Sequence, residues 1–130
     1  MPAHSSDHPH LARLIKISSL LPETTVERHG SHAAFRIRKK VYAYFLNNHH
    51  GDGIVAVTCK VLPGDNKALA AAQPLKFYLP AYIASKGWVA LRLDLPKIDW
   101  AEVKELMQTS YLQIAPKRLA AMLESDHQFQ

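Results

Sequence analysis

Hydrophobic residues recur along this chain with two different periods, and the change of period predicts where helices and strands lie. From Leu11 onward the apolar residues are three or four apart, which predicts a helix over residues 9–20 that Pro22 ends. Around Phe35 and Ile37 they are two apart instead, as in a strand with one buried face.

Residues 33–47 are predicted to form a β-hairpin, because two apolar stretches flank the basic pair Lys39-Lys40. Arg36 and Arg38 alternate with the apolar residues of the first strand, which predicts that the two guanidinium groups share one face. The basic pair lacks the Asn-Gly or Gly-X chemistry that tight turns prefer. We therefore expect either a longer turn or an unusual register.

The remaining elements are predicted from apolar runs bounded by proline, glycine and capping residues. Up to the middle of the chain they are a strand over 54–61, an alanine-rich helix over 66–72 with Asp65 as N-cap, and an edge or irregular strand over 77–83 that contains Pro80. After these come a strand over 88–93, a long helix over 99–114 with Asp99 as N-cap, and a final helix over 117–124 that follows Pro116.

The order of these elements predicts the fold class. Strands cluster in the middle of the chain and do not alternate regularly with helices, which favours an α+β fold with an antiparallel sheet and helices packed on one face. A length of 130 residues fits one domain. We assign that domain to residues 11–124 and expect flexible tails at 1–10 and 125–130.

Composition excludes several classes of protein. With 48% hydrophobic and 21% charged residues, the chain is neither disordered, collagen-like nor a disulfide scaffold. No apolar run approaches the roughly 18 residues of a membrane-spanning helix, and residues 1–10 lack the order of a secretory signal. We therefore expect a cytoplasmic protein that does not contact a membrane. The single cysteine, Cys59, lies in an apolar run and is expected to be a buried thiol.

Positive charge is concentrated in the first two-thirds of the sequence. The chain holds 16 Lys+Arg against 11 Asp+Glu, a net charge of +5 with neutral histidines. Residues 11–50 carry seven bases and two acids, whereas residues 94–130 carry four bases and six acids. A locally basic surface attracts polyanions, so this asymmetry fits an anionic partner such as nucleic acid. The alternative interpretation is that the positive charge only keeps the protein soluble.

Several stretches that follow one another along residues 10–124 carry a family resemblance. They are ERHGSHAAFRI (27–37), HHGDG (49–53), GWVALRLD (87–94), DWAEVKEL (99–106), Ser110-Tyr111 and APKRL (115–119). Taken together they resemble the MmcQ/YjbR family. The resemblance implies a compact α/β fold shared with frataxin-like and secretion-chaperone-like domains. It also implies DNA binding through a double-wing arrangement, and it brings no catalytic residues with it.

The basic residues supply candidate contacts to DNA phosphates. The hairpin offers Arg36, Arg38, Lys39 and Lys40, and the flanking candidates are Arg28, Lys86, Lys117 and Arg118. The last two lie at the start of a helix, where the dipole favours anions. The helix over 99–114 is acidic on its exposed side and is a poor recognition helix. We therefore expect binding to phosphates with low sequence preference.

Two clusters of histidines are candidate metal ligands, His29 with His32 and His49-His50 with Asp52. The odd separation of His29 and His32 would place them on opposite faces of one strand, and no spacing predicts that the two clusters meet. We expect neither a metal nor another cofactor.

Catalysis is not expected either, because no serine lies in a nucleophile elbow and no glycine-rich phosphate loop is present. The alternative to DNA binding is a protein-interaction or chaperone-like adaptor domain that binds another protein at a sheet edge or an apolar groove.

Overall fold

The computed structural model describes residues 7–128, with the backbone alone for residue 50 and residues 125–128. In that part of the chain six strands form one antiparallel sheet in the order β1-β2-β3-β4-β6-β5. The strands are β1 (Thr24–His29), β2 (His32–Ile37), β3 (Lys40–Asn47), β4 (Val55–Lys60), β5 (Phe77–Tyr78) and β6 (Trp88–Arg92). The four α-helices are α1 (Pro9–Ser18), α2 (Asp65–Ala72), α3 (Trp100–Ile114) and α4 (Lys117–Gln128).

The helices share one face of the sheet, as predicted. On that face a row of apolar residues crosses four strands, namely Phe45, Val57, Leu91 and Phe77. Each helix adds side chains to the same core: Leu14 from α1, Leu69 from α2, Met107 from α3 and Leu119 from α4. Burial of this apolar surface is the main source of stability. The antiparallel sheet with helices on one face confirms the predicted α+β class.

The opposite face carries none of the four helices, and we call it the open face. A second row crosses the same four strands there, with a tyrosine at each end, and consists of Tyr44, Thr58, Ala90 and Tyr78. The segment between β5 and β6 includes a short 3-10 helix at Ala84–Lys86. Phe77–Tyr78 pairs only with β6 and is the edge strand that Pro80 had suggested.

A strand that the sequence pattern did not separate, β1, pairs with β2 through a two-residue turn at Gly30 and Ser31. Gly30 has φ +60, a left-handed conformation that glycine adopts without strain. His29 and His32 are directly opposite each other in this register. The prediction that they lie on opposite faces of one strand was therefore wrong, because a turn separates them.

The turn chemistry left a longer turn or an unusual register open, and the β2–β3 hairpin has the unusual register. Only Arg38 and Lys39 connect the strands, and Arg38 has φ +56. Phe35 pairs with Ala43 but the next residue pairs with Val41, so Tyr42 is an extra residue on β3. Because Arg38 lies in the turn, it does not share a strand face with Arg36, and that prediction was wrong.

Helix α3 is attached to the sheet where this bulge occurs. The Ser110 hydroxyl donates to the Tyr42 carbonyl at 2.5 Å and accepts from the Lys60 amide at 2.9 Å. Bulges leave ladder groups without partners, and a side chain from α3 satisfies them here. The Tyr111 hydroxyl donates to the Pro22 carbonyl at 2.7 Å, which also connects α3 to the segment before β1.

Helix ends agree with the predicted caps to within a few residues. The Asp99 carboxylate accepts from the amides of Ala101 and Glu102, at 3.1 and 3.2 Å, and confirms the predicted N-cap of α3. The N-cap of α2 is Gly64 and not the predicted Asp65, which is the first residue of that helix. Helix α4 continues to Gln128, four residues beyond its predicted end. Of the predicted tails, residues 1–6 and 129–130 lie outside the described residues.

Candidate nucleic-acid interface

A groove of about 730 Å³ lies between the β2–β3 turn and the junction of α3 with α4. Arg38, Lys39 and Lys40 line it from the turn, and Lys117 lines it from the start of α4. The other lining residues are apolar or carry an amide: Ile37, Leu112, Gln113, Ile114, Ala115, Pro116 and Ala120. None of these lining residues is acidic. We call this feature the basic groove.

The local backbone explains why these cations meet. The two-residue turn projects from the end of the sheet, and the chain then enters β3 at Lys40. On the other side, Ala115 ends α3 with an extended backbone (ψ 151) and α4 begins two residues later at Lys117. The amino end of the 12-residue α4 therefore adds the positive end of its dipole to the lysine and arginine charges.

Arg118 joins this group through Glu23. One carboxylate oxygen of Glu23 lies 3.5 Å from Arg38 Nε and the other lies 3.6 Å from Arg118 Nη2. All three side chains are about half exposed or more, at 47 to 67%. Exposed pairs of this kind stabilise a protein by at most about 1 kcal/mol. Both guanidinium groups can therefore exchange Glu23 for an anion from solution at little cost.

Lys60 and Lys86 lie at the same end of the sheet. Lys60 pairs with Trp88 in the ladder, and its carbonyl accepts from the side-chain amide of Gln113 at 2.9 Å. The Val61 amide donates to the Gly87 carbonyl at 3.0 Å, which brings the turn with Lys86 beside the end of β4. Sequence reasoning missed Lys60, because the pairing of β4 with β6 has no local signal.

Arg28 lies away from the groove, on β1. It forms a bidentate pair with Asp7, with both N–O distances 2.9 Å. The Asp7 side chain is only 4% exposed, and its hydrogen bond raises the pKa of the Arg28 guanidinium. Asp7 therefore neutralises Arg28.

Arg36 lies on the open face and is also paired. Its Nε lies 3.4 Å from a carboxylate oxygen of Glu27, and its Nη1 donates to the Lys39 carbonyl at 3.3 Å. Hydrogen bonding to His29 and then the charge of Arg36 lower the pKa of Glu27. Of the eight predicted contacts, the structure thus places five around the groove, Lys86 near it, and Arg28 and Arg36 beside acidic partners.

The histidine clusters come closer than their spacing suggested. The His32 and His49 rings are perpendicular, with centroids 5.4 Å apart, and His32 Nδ1 accepts from the Asn47 amide at 3.1 Å. His29 contacts the Glu27 carboxylate instead. Among the described residues no group of three or more potential ligands is placed to hold a metal ion.

Cys59 is fully buried in the core, as predicted, and burial raises the pKa of its thiol well above the usual range. A thiol held in its neutral form is a poor nucleophile. In the described part of the chain, no helix has the length and apolar character that crossing a bilayer requires.

Comparisons with known proteins establish the family and the fold of this chain. The YjbR family model matches residues 19–113. No curated protein matches the chain. Among solved structures, the crystal structure of Deinococcus radiodurans protein DR2400, which has a DUF419 domain, is similar, with a TM-score of 0.64. That similarity covers 85% of each chain at 21% sequence identity, so it shows a shared fold.

Proposed function

The chain belongs to the YjbR family, and from that premise we propose that it binds double-stranded DNA at the basic groove. The contacts are to phosphates and the preference for sequence is low. The observation that supports this proposal most directly is the convergence of five exposed cations from two distant segments, namely Arg38, Lys39, Lys40, Lys117 and Arg118.

The charge balance of this surface supports an anionic partner. Glu23 is the one carboxylate that forms ion pairs with these five cations among the described residues, and both of its pairs are longer than 3.4 Å and exposed. A surface with this excess of positive charge concentrates a polyanion and releases its counterions on binding.

The types of side chain support contact with phosphate and not with bases. Lysine presents a point charge on a flexible stem, and arginine presents a fork that matches two phosphate oxygens. The amino end of α4 is a further site at which a phosphate is favoured. Contacts to the backbone position a protein on the duplex and carry no sequence information directly.

The hairpin therefore has a narrower role than the sequence suggested. The turn residues remain proposed contacts, whereas Arg36 and Arg28 are assigned to ion pairs with Glu27 and Asp7. We propose a binding role without catalysis, which is supported by the burial of Cys59.

The test is a titration of a fluorescent DNA duplex at several salt concentrations, followed by anisotropy. If about four phosphates are neutralised, the logarithm of affinity falls with that of salt with a slope of roughly −4. The double variant Lys39→Ala/Lys40→Ala should flatten that slope by about 2. Both side chains are exposed, so circular dichroism should show an unchanged fold.

The matched control is Lys67→Ala/Lys97→Ala, which removes the same charge from exposed positions on α2 and in the segment before α3. It should leave the slope nearly unchanged. If both double variants reduced the salt slope by the same amount, the result would contradict a defined interface. Binding that is absent or insensitive to salt would overturn the proposal and favour a protein partner.

A further inference from the structure

A second cavity, of about 400 Å³, lies away from the basic groove. It is bounded by β3, by the end of β5 and by the loops that contain residues 49–52 and 80–83. Its lining is mostly aromatic and apolar, with one acid and one histidine: Tyr44, Leu46, His49, Asp52, Tyr78, Pro80, Ala81, Tyr82 and Ile83. We call it the aromatic pocket. It shares no lining residue with the basic groove.

The sheet places two of the three tyrosines of the pocket on the open face. Tyr44 and Tyr78 are the two ends of one row across the open face, and the row between them holds the smaller Thr58 and Ala90. Tyr44 also packs against Trp88, with ring centroids 5.6 Å apart. Strands β3 and β5 therefore supply Tyr44, Leu46 and Tyr78 to the lining, and the segments at 49–52 and 80–83 supply the other six residues.

Tyr82 leaves an aromatic surface uncovered at the rim of this pocket. Tyr82 is 88% exposed, which is the largest exposure among the big hydrophobic residues of the described chain. Its backbone has φ +70, a left-handed conformation that is unfavourable for a bulky residue. Strained residues of this kind concentrate at ligand sites, and an exposed ring beside a cavity is the part that a ligand would cover.

The pocket has an acidic lining residue, although the protein as a whole carries a net positive charge. Asp52 supplies the single carboxylate among the lining residues, and its Oδ1 accepts from the Ile54 amide at 2.9 Å. In the described chain Asp52 forms no ion pair. The neighbouring Arg92 is paired with Asp94, at N–O distances of 3.0 and 2.8 Å. Burial first, and then the Asp52 charge, raise the pKa of Tyr78.

We propose that the aromatic pocket binds a small organic cation, an alkylated ammonium group on an apolar body. The π faces of Tyr44, Tyr78 and Tyr82 would attract the ammonium, because aromatic rings carry negative charge on their faces. Asp52 would supply the opposite charge, and the apolar lining would cover the body of the ligand. The volume is within the range of pockets that hold small molecules.

The test compares two probes of the same shape and different charge. The first is 4-hydroxyphenyltrimethylammonium, and the second is its uncharged isostere 4-tert-butylphenol. Each is titrated into the full-length protein and followed by calorimetry and by amide chemical shifts. We expect the cation to bind at least tenfold more tightly, with shifts that centre on residues 44–54 and 78–83.

Variants identify which groups provide the selectivity. Asp52→Asn keeps an oxygen for the Ile54 amide and removes the charge, so the cation should lose at least fivefold in affinity and the phenol should lose none. Tyr82→Ala should weaken both probes. Asp65→Asn removes an exposed carboxylate of α2 outside the lining and should change neither affinity.

Equal affinity for the two probes would overturn the proposal, because it would make the pocket a site for neutral apolar ligands. An Asp52→Asn variant that binds the cation as tightly as the original chain would overturn it as well. Failure of both probes to bind would show that the pocket is not a small-molecule site of this chemistry. None of these outcomes bears on DNA binding at the basic groove.

Discussion

The carboxylate of Glu23 lies 3.5 Å from Nε of Arg38, and both residues have a left-handed backbone, with φ 59 and 56. Non-glycine residues in this region are uncommon, and here two of them face each other across an exposed ion pair. The same carboxylate also reaches Arg118. Glu23 is therefore the residue that most directly opposes the positive charge beside the basic groove.

Removing that charge should strengthen DNA binding. The substitution Glu23→Gln removes the carboxylate that competes with phosphate for Arg38 and Arg118. Each exposed ion pair of this kind contributes up to about 1 kcal/mol. We expect duplex affinity to rise by about two- to fivefold in low salt, measured by anisotropy. Glu105→Gln, which removes an exposed charge on α3, should have a smaller effect. Equal gains would show that net charge alone matters.

Arg28 should matter for stability and not for DNA binding. Arg28→Ala removes the bidentate partner of Asp7, whose side chain is only 4% exposed, so we expect a loss of about 1–3 kcal/mol in the free energy of unfolding. Urea denaturation measures it. Arg36→Ala breaks an exposed pair and should cost less than about 1 kcal/mol. A weakened salt slope for DNA in Arg28→Ala would contradict this division.

Acid should destabilise the fold through His10. Burial first, and then the charge of His8, lower the pKa of His10 in the folded chain. Below the ordinary value of about 6.5 the unfolded chain takes up a proton that the folded chain resists. The contribution of His10 is therefore complete above that pH and is lost as pH falls through the folded pKa. In thermal melts between pH 8 and pH 5, the melting temperature should fall less steeply for His10→Gln than for the original chain. Parallel curves for the two proteins would refute this role of His10.

Thr58→Val should stabilise the protein. The Thr58 hydroxyl is fully buried and has no hydrogen-bond partner among the described residues, and valine has nearly the same shape. Removing an unsatisfied buried group should raise the free energy of unfolding by about 1 kcal/mol. Thr24→Val is the matched control, because the Thr24 hydroxyl bonds to that of Tyr42 at 3.0 Å and its loss should destabilise. A destabilised Thr58→Val would indicate a partner for this hydroxyl.

The sequence predicted most elements because their signals are local. Asp99 identified the start of α3, and Pro80 marked an edge strand. The missing turn chemistry at Lys39-Lys40 indicated a longer turn or an unusual register, and the structure has the second. Strand β1 was not predicted as a separate strand because its apolar content is low, although Gly30-Ser31 is a typical hairpin turn.

The candidate sites required tertiary information. Nothing local brings Lys117 to Lys39, since their meeting depends on how α3 packs on the sheet. The pairing of Arg28 with Asp7 is likewise between residues 21 positions apart. The aromatic pocket depends on the strand order β4-β6-β5, which places Tyr78 in the same row as Tyr44 although β6 follows β5 in the chain. Long-range pairing of this kind leaves no periodic trace in a single sequence.

The Ser110 hydroxyl connects the buried core to the charged surface at the basic groove. It occupies the gap beside the extra residue Tyr42, and the helix that carries it leads directly into the junction from which Lys117 projects. An uncharged side chain in the interior therefore helps to set the distance from the turn residues Arg38 and Lys39 to Lys117. A substitution at Ser110 should change that distance without removing any charge.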